Sequence, residues 1–514
     1  MNNCVAAIDA GTGGVRCVIY DPLGNALSQY YCETAPIYTP DGRAEQAPGK
    51  LVDSAFDAVK NAIVTGNIDP GAIAGVSISG TQTTFAPVGR DGRYLSNLIL
   101  WQDMRGTEMF PLIREKLAAK GLSEADLYDR TLRPLDALAA GPKLMWFRER
   151  MPELYDNIRT LANPQSVLLT AFGAEDHTVD VTDTGWWLCH DRTGRQADPD
   201  LADVFCFDPD IFPAIALPGE EVGQVSPAAS VRSGLMAGTP LYQGAVDQCC
   251  AAMGAGNGGE PTLGSLCMGT AGVIMNCSPE PVPDPLGRYY VINYPTGGFA
   301  REFAIPVAAS AFRWVRDMLY PAESYDHRDI YRRMDAEAAT AQIGCGGLVF
   351  LPQMAGSIYP RTDASVRGGY AGFSMSTTRA DMVRAALEGV SFGMRHILEA
   401  SGNRFDALRL LGGGARSPFW NQMQADVYGC PVETIATEEV SALGAAMIAA
   451  AGAGLYPSLK DAVRGMSRIK RRYEPAPSAH ARYSEVYGAW LECVRALEPR
   501  AFPALAAVRA TKER

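Results

Sequence analysis

The sequence predicts an α/β protein made of two similar halves, and three observations carry this prediction. A glycine-rich phrase occurs twice, as residues 11–15 (Gly-Thr-Gly-Gly-Val) and, 258 positions later, as residues 269–273 (Gly-Thr-Ala-Gly-Val). Each copy stands between two apolar runs that have the pattern of strands, and helical patterns follow in each half. At 514 residues the chain also exceeds the size of a single hydrophobic core.

In the first half, three strands are expected over residues 5–8, 15–20 and 26–31. Tight turns join them, which predicts an antiparallel meander. A helix follows over 50–64, where apolar residues recur with a 3.6-residue period, and then a buried strand over 74–79. This β-β-β-α-β order is typical of a sheet with an antiparallel edge and a parallel core.

The second half repeats the order more loosely. A long amphipathic helix is expected over residues 379–400, with Gly402 at its C-terminal cap. The glycine-rich run 253–259 is the candidate hinge between the halves. The expected strands cover residues 262–268, 272–277 and 289–293.

Composition and charge exclude several classes of partner. The chain is 47% apolar and 20% charged with a formal net charge of −11, which argues against nucleic acid or an anionic membrane as a partner. No window approaches the roughly 18–20 unbroken apolar residues of a membrane span. The N-terminus has no basic segment of a signal peptide, so a cytoplasmic location is expected.

The two glycine turns are candidate phosphate-binding sites. Such turns leave backbone N–H groups that converge on an anion with no Cβ in the way. Asp9 directly precedes the first turn, where its carboxylate would reach a phosphate-bound Mg²⁺. The alternative is that Asp9 is only a turn residue. The candidate phosphate-binding residues are Gly11, Thr12, Gly13, Gly269 and Thr270.

Two further segments are candidates for a phosphoryl-transfer site. One offers a base for a substrate hydroxyl, and the other offers a surface for a flat ring. Asp247 ends the apolar strand 241–246, where a carboxylate is placed to accept a proton from a substrate hydroxyl. The alternative role for Asp247 is the N-cap of the following helix. The glycine loop 412–414 follows another strand and would allow close approach of a flat ring such as adenine. A plain strand-to-helix turn is the alternative there.

Together these segments resemble the FGGY family of carbohydrate kinases, over residues 4–460. Several separated motifs occur in the family's order, which makes the resemblance specific. The matching segments are 9–16, 244–247, 269–273, 309–317, 346–352 with Asp363, 367–368 and 387–390, and 412–417 completed by 442–446.

The resemblance implies an ATP-dependent kinase of a small sugar or polyol. It implies two ribonuclease-H-like domains of the actin and hexokinase superfold, with the substrates in an inter-domain cleft. Asp247 is then the general base and Asp9 the residue that holds Mg²⁺. The residues expected to bind ATP are Gly11, Thr12, Gly13, Arg16, Gly269, Thr270, Ala309, Arg313, Gly413, Gly414 and Ser417.

The resemblance also implies a division of labour along the chain. Residues 1–256 are expected to bind the sugar and phosphate, and residues 257–455 to bind ATP. Residues 456–514 are expected to form a helical extension packed on the second domain.

The acceptor is expected to lie against Thr81, Gln82, Thr83 and Asp103, beside Asp247. A salt bridge with Arg105 is the alternative for Asp103. Xylulose kinases usually carry Gln-Met-His-Gly where this chain has residues 81–84, and glycerol kinases carry Arg-Glu-Thr-Thr. The family's Glu-Arg-Thr-Pro stretch is also altered, at residues 357–360.

Length and glycine phrases favour the xylulose kinase branch, with D-xylulose as acceptor. Ribulose, erythritol, glycerol and an autoinducer-2-type molecule are the alternative acceptors. A different class, an actin-like ATPase without a sugar substrate, shares the fold but does not need the family's C-terminal signature. A regulator of the related repressor-kinase group would carry a helix-turn-helix arm and a Cys/His zinc site, and the sequence contains neither pattern. Homodimers are common in similar proteins.

Overall fold

A computed structural model describes residues 4–284, 286–320, 327–357, 363 and 365–510. The strands are β1 (Cys4–Gly11), β2 (Gly14–Tyr20), β3 (Ala26–Glu33), β4 (Ile37–Tyr38), β5 (Ala44–Gln46), β6 (Ile73–Gly80), β7 (Ala86–Gly89), β8 (Leu98–Ile99), β9 (Ile158–Ala162), β10 (Thr178–Asp180), β11 (Ala214–Ala216), β12 (Glu221–Gln224), β13 (Pro240–Val246), β14 (Leu263–Met268), β15 (Gly272–Ser278), β16 (Tyr290–Asn293), β17 (Phe299–Ile305), β18 (Val349–Leu351), β19 (Gly369–Ala371), β20 (Ala407–Leu411), β21 (Val432–Ile435) and β22 (Ile469–Tyr473).

The helices alternate with these strands along most of the chain. They are α1 (Pro48–Gly66), α2 (Phe110–Ala119), α3 (Glu124–Thr131), α4 (Ala140–Arg150), α5 (Pro152–Asp156), α6 (Pro164–Phe172), α7 (Val181–Thr184), α8 (Pro199–Val204), α9 (Pro227–Ser233), α10 (Asp247–Gly254), α11 (Ala309–Leu319), α12 (His327–Ala338), α13 (Arg379–Ala400), α14 (Pro418–Tyr428), α15 (Val440–Gly452), α16 (Leu459–Met466), α17 (Pro477–Leu497) and α18 (Ala501–Ala510).

Residue contacts divide the chain into two compact units. The first contains residues 1–259, 277–300 and 439–468, and the second contains 260–276, 301–438 and 469–514. The functional boundaries expected at 256/257 and 455/456 stay a prediction. None of the helices in the described parts of the chain is long and apolar enough to cross a membrane.

The first unit is built on a six-stranded sheet of order β12-β13-β6-β1-β2-β3. β1, β2 and β3 form the expected antiparallel meander. β6 pairs parallel with β1 on one side and with β13 on the other. The sheet therefore has the antiparallel edge and parallel core that the sequence predicts.

Helices cover both faces of this sheet. α1 and α6 pack on one face, where alternate β1 residues such as Ala6 and Ile8 join a fully buried apolar cluster. α10 and α15 cover the other face. α15 is apolar on nearly all sides, as expected for a helix buried all round. Gly254 and Gly444 let α10 and α15 approach closely, since a Cβ at either position would meet the backbone of the partner helix.

The second unit contains a sheet in which β17, β15, β14, β20, β21 and β22 are neighbours in that order. β14 and β15 form an antiparallel hairpin, and β20 runs parallel to β14. The predicted helix over 379–400 is α13, which begins at a capping box formed by Thr378 and Asp381. Gly402 follows it with a positive φ of 68°, close to the predicted cap. α17 packs against α13 and α14 of the same unit.

Candidate active site

In the first unit, three predicted segments meet at one edge of the sheet. β1, β6 and β13 are parallel neighbours, with Asp9 opposite Ser79 and Val246 opposite Gly80. Their carboxyl ends therefore bring Asp9, the segment that follows Gly80, and Asp247 to the same place. In open α/β sheets this edge is where ligands bind.

Asp9 lies at this edge with a partly exposed side chain. Burial raises the pKa of its carboxyl to about 6, while the Ser79 hydroxyl and Arg16 lower it and Glu439 raises it. Within the described residues, its Oδ1 is buried and accepts no hydrogen bond. A carboxylate oxygen that accepts no hydrogen bond from the protein is well suited to coordinate a cation.

The described residues around Asp9 offer few ligands for a metal ion. Among the described residues, no group of three His, Cys, Asp or Glu side chains is arranged to hold a metal ion. Mg²⁺ bound with a nucleotide typically takes one or two carboxylates together with phosphate oxygens and water. The orphaned oxygen of Asp9 therefore fits a magnesium–nucleotide complex better than a metal site made by the protein alone.

The first glycine turn, 11–14, closes the β1–β2 hairpin. The Tyr31 hydroxyl donates to the Gly13 carbonyl at 2.9 Å, and Trp101 Nε1 donates to Thr12 Oγ1 at 3.0 Å. Gly14 packs so closely on Tyr31 that a Cβ would collide with the ring. The turn is thus fixed by aromatic side chains, and Trp101 belongs to the same segment, 100–105, as the predicted acceptor residue Asp103.

Arg16, expected to bind ATP, lies on β2 and is engaged within the first unit. Its Nε is 2.8 Å from Glu439 Oε2, and its guanidinium lies 5.0 Å from the centroid of the Tyr31 ring. A role for Arg16 in ATP binding stays a prediction.

The predicted acceptor turn, residues 81–84, follows β6 and is closed by its own hydroxyls. Thr81 N donates to the Ala10 carbonyl at 3.2 Å, and Thr81 Oγ1 donates to Thr84 Oγ1 at 3.2 Å. Thr83 has a φ of +57°, which is rare for a β-branched residue. Its Oγ1 is buried and makes no hydrogen bond within the described residues, whereas Gln82 is partly exposed.

A buried carboxylate that the sequence reasoning missed holds this turn. Asp183 Oδ1 accepts the backbone N–H of Thr83 at 3.0 Å, and Oδ2 accepts Asn163 Nδ2 at 3.2 Å. Asp183 is only 1% exposed, and burial raises its pKa to about 6, with Arg133 acting in the opposite direction. The Asn-Pro pair at 163–164 marks a helix start, but nothing in the sequence connects it to residue 83.

Asp247, the predicted base, is half-buried at the start of α10. Its Oδ1 accepts the N–H of Gln248 at 2.8 Å, although the N-cap position belongs to Val246. The helix-terminal role considered as the alternative is therefore partly present. The backbone N–H of Val246 donates to Thr182 Oγ1 at 3.1 Å, so the strand end before Asp247 is anchored to the segment that carries Asp183.

Asp103, expected to bind acceptor hydroxyls, forms the ion pair considered as its alternative. Its side chain is 0% exposed, and its oxygens accept Arg105 Nε at 2.8 Å, Arg105 Nη2 at 2.9 Å and the Ala44 N–H at 2.8 Å. Glu45 shares the same guanidinium. A direct contact between Asp103 and the acceptor stays a prediction.

Lys143 supports the neighbouring backbone and was also missed from the sequence. Its Nζ donates to the carbonyls of Leu100, Trp101 and Leu138 at 3.0 Å each. The side chain is fully buried, and burial lowers its pKa to about 7. The ammonium thus satisfies backbone carbonyls both in the irregular segment 100–105 and at Leu138.

In the second unit, the other glycine turn joins β14 to β15. The Ala308 N–H donates to the Thr270 carbonyl at 2.9 Å, and the Ala309 N–H donates to the Gly269 carbonyl at 3.0 Å. The start of α11 is therefore fixed against this turn. Arg313, one turn further along α11, is exposed.

The third glycine loop lies beside this turn because β20 is the parallel neighbour of β14. Gly412 has a φ of +78°, and a Cβ there would press on the Met268 carbonyl at 3.0 Å. Gly413 is exposed, with open space where a Cβ would point. Ser417 Oγ accepts the Trp420 N–H at 3.0 Å and caps α14. The structure thus brings the ATP-binding candidates of the second unit to one sheet edge.

Part of the altered family motif is not placed. Ser357 is buried and pairs with Asp363 through two backbone hydrogen bonds. Residues 358–360 lie outside the described part of the chain.

Two family models match the chain. Residues 4–254 match the N-terminal domain of the FGGY family of carbohydrate kinases, and residues 264–453 match the C-terminal domain of the same family.

Individual proteins with whole-chain similarity carry three different names. A xylulose kinase of Staphylococcus epidermidis is 26% identical over 95% of both chains. A glycerol kinase 2 of Thermotoga maritima is 28% identical, over 95% of this chain and 98% of that protein. A ligand-bound xylulose kinase structure from Lactobacillus acidophilus has a TM-score of 0.87 at 23% identity, covering 97% of this chain and 99% of that one. A gluconate kinase structure from the same organism has the same TM-score at 23% identity, covering 97% and 98%.

Proposed function

Because this chain belongs to the FGGY family of carbohydrate kinases, we propose that it transfers the γ-phosphate of ATP to a hydroxyl of D-xylulose and forms D-xylulose 5-phosphate. The observation that carries this proposal is the meeting of Asp9, the turn 81–84 and Asp247 at one sheet edge. The choice of D-xylulose is supported by relatives named xylulose kinase that align over 94–95% of this chain and 95% of their own length.

In the proposed mechanism, the first unit binds and activates the acceptor. The turn 81–84 orients the acceptor hydroxyls, and Gln82, whose side chain is partly exposed, is proposed to contact one of them. Asp247 accepts the proton of the attacking hydroxyl while the new P–O bond forms and the bond to ADP breaks. Phosphoryl transfer needs little more than positioning and charge stabilisation, so no reacting protein group besides this base is required.

The phosphates and the adenosine are proposed to bind the glycine turns. Residues 11–13 and 269–270 offer backbone N–H groups to the phosphates, and Gly413 leaves room for the nucleoside. Asp9 would hold Mg²⁺, which supplies positive charge to the phosphate oxygens when bound.

The charges around the acceptor turn favour an uncharged sugar over a sugar acid. Burial raises the pKa of the Cys250 thiol, and the carboxylates of Asp9, Asp180 and Asp247 lie close enough to raise it further. The nearby cations are engaged, since Arg105 pairs with two carboxylates and Lys143 with three carbonyls. An acceptor with its own carboxylate would be repelled at this edge.

The test is ADP release with a panel of acceptors. We expect stimulation by D-xylulose above D-ribulose, L-ribulose, glycerol, erythritol and the autoinducer-2 precursor, and none by D-gluconate. Stimulation by another neutral acceptor would change the proposed substrate but leave the proposed kinase activity in place. Stimulation by gluconate alone would overturn the argument from charge.

The actin-like ATPase considered from the sequence is not supported, because both halves match the sugar kinase family. ATP hydrolysis that no acceptor stimulates would revive it. We also propose a cytoplasmic location and small molecules as the only substrates, in keeping with the net charge of −11.

A further inference from the structure

The segment 180–183 contacts two parts of the proposed acceptor site without lying in either. Through Asp183 Oδ1 it accepts the N–H of Thr83 at 3.0 Å, in the middle of the acceptor turn. Through Thr182 Oγ1 it accepts the N–H of Val246 at 3.1 Å, immediately before Asp247. Residue 83 lies in the turn after β6 and residue 246 ends β13, so the segment 180–183 connects the ends of two different strands.

The segment is itself rigidly held. Asp180 Oδ1 accepts both the N–H of Thr182, at 2.9 Å, and its hydroxyl. The other oxygen of Asp183 accepts Asn163 Nδ2, and Asn163 Oδ1 in turn accepts the N–H of Ser166 at the start of α6. Asp180, Thr182, Asp183 and Asn163 are all at most 4% exposed. Buried polar networks of this kind fix one geometry, because a broken bond leaves an uncompensated group.

The acceptor turn needs such support. A left-handed φ is strained at a β-branched Thr and persists only where the surroundings impose it. The hydrogen bond from Thr83 N to Asp183 acts directly on that residue. The hydroxyl bonds within the turn, at 3.2 Å, do not reach the Thr83 backbone.

We propose that Asp183 and Thr182 are positioning residues, which set the acceptor turn and the base Asp247 at a fixed distance from each other. This inference rests on the proposed function of residues 81–84 and Asp247. Neither residue is assigned a contact with the acceptor. Misplacing reacting groups by about 1 Å can lower turnover on the order of 100-fold, so losing the contacts of the segment 180–183 is expected to slow catalysis.

The experiment compares four variants by acceptor KM, ATP KM and kcat. Asp183→Ala is expected to raise the acceptor KM about tenfold or more, by releasing the turn. Asp183→Asn keeps an oxygen for Thr83 N and is expected to restore much of the loss. Thr182→Val keeps the side-chain shape and is expected to lower kcat about tenfold, since it frees the strand end before Asp247. ATP KM is expected to change less than twofold in all of them.

Thr184→Val is the matched control, because Thr184 is equally buried directly after this segment but its hydroxyl donates to the Val181 carbonyl instead. Amide hydrogen exchange of the peptide that contains Thr83 provides a readout independent of turnover, and it is expected to accelerate in Asp183→Ala. Unchanged exchange, an unchanged acceptor KM despite faster exchange, or equal losses in Thr184→Val and Thr182→Val would each overturn the inference. A wild-type protein without acceptor-dependent turnover would instead refute the proposed function, and hydrogen exchange would still decide whether Asp183 holds the turn.

Discussion

At the scale of single residues, Asp247 is only half-buried, as a base that has to meet a substrate hydroxyl must be. We expect Asp247→Asn to lower kcat by 100-fold or more, since general-base catalysis contributes on the order of 10²–10⁴. Nucleotide binding should be kept, measured as the ATP-induced rise in melting temperature. Wild-type turnover in this variant would remove Asp247 from the base role.

Asp103 is expected to act on stability first. Asp103→Asn removes one partner of a fully buried ion pair and leaves Arg105 undercompensated, so the free energy of unfolding should fall by about 3–5 kcal/mol. Chemical denaturation measures this change. The control is Glu124→Gln, which breaks the exposed pair with Arg114 and should change stability by about 1 kcal/mol or less. Equal effects of the two substitutions would contradict this view of Asp103.

At the scale of elements, Lys143 on α4 determines the shape of the segment that carries Trp101. Lys143→Met removes the ammonium partner of three carbonyls, of which that of Leu100 still accepts the Asp103 N–H. The cost is about 1–3 kcal/mol for each carbonyl left without a partner, partly offset because a buried charge is removed. We expect a net loss on the order of 3 kcal/mol together with a raised acceptor KM. Lys120→Met, at a more exposed position, should stay within about 0.5 kcal/mol. A Lys143→Met protein as stable as wild type would refute this role.

Strands and turns were the predictable part of the fold, because their signals are local. The meander β1–β3, the helix α13 and the glycine turns follow from apolar periodicity and glycine placement, and the structure has them within a few residues. The contacts of the segment 180–183 could not be predicted, since Asp183 and Thr83 are separated by 100 residues and no local pattern pairs them. For Asp103 the correct partner, Arg105, was adjacent, but the sequence could not show that Glu45 and the Ala44 N–H complete the same network.

At the scale of the whole molecule, buried carboxyls should make stability fall as the pH rises. Burial raises the pKa of Asp180 to about 7, above the ordinary value of 3.8 expected in the unfolded chain. The folded state therefore binds more protons between about pH 4 and 7, and the resulting stabilisation is present below pH 4 and is lost as the pH rises through 7. The maximum loss is about 4 kcal/mol.

Unfolding experiments at pH 5 and pH 8 test this expectation. Wild type should be more stable at pH 5 as far as Asp180 is concerned, and Asp180→Asn should reduce the difference between the two pH values. An identical pH dependence in the two proteins would show that Asp180 does not carry this linkage.

The helix α15 connects the architecture to the synthesis of the chain. The strands of the first sheet are complete by residue 246, but one face of β1 and β6 is covered by α15, at residues 440–452. While the ribosome is still translating the intervening 193 residues, that apolar face lacks α15 and can be covered only by α10. Nascent chains normally fold domain by domain from the N-terminus. This protein is expected to complete the packing of its N-terminal sheet only when almost the whole chain has emerged.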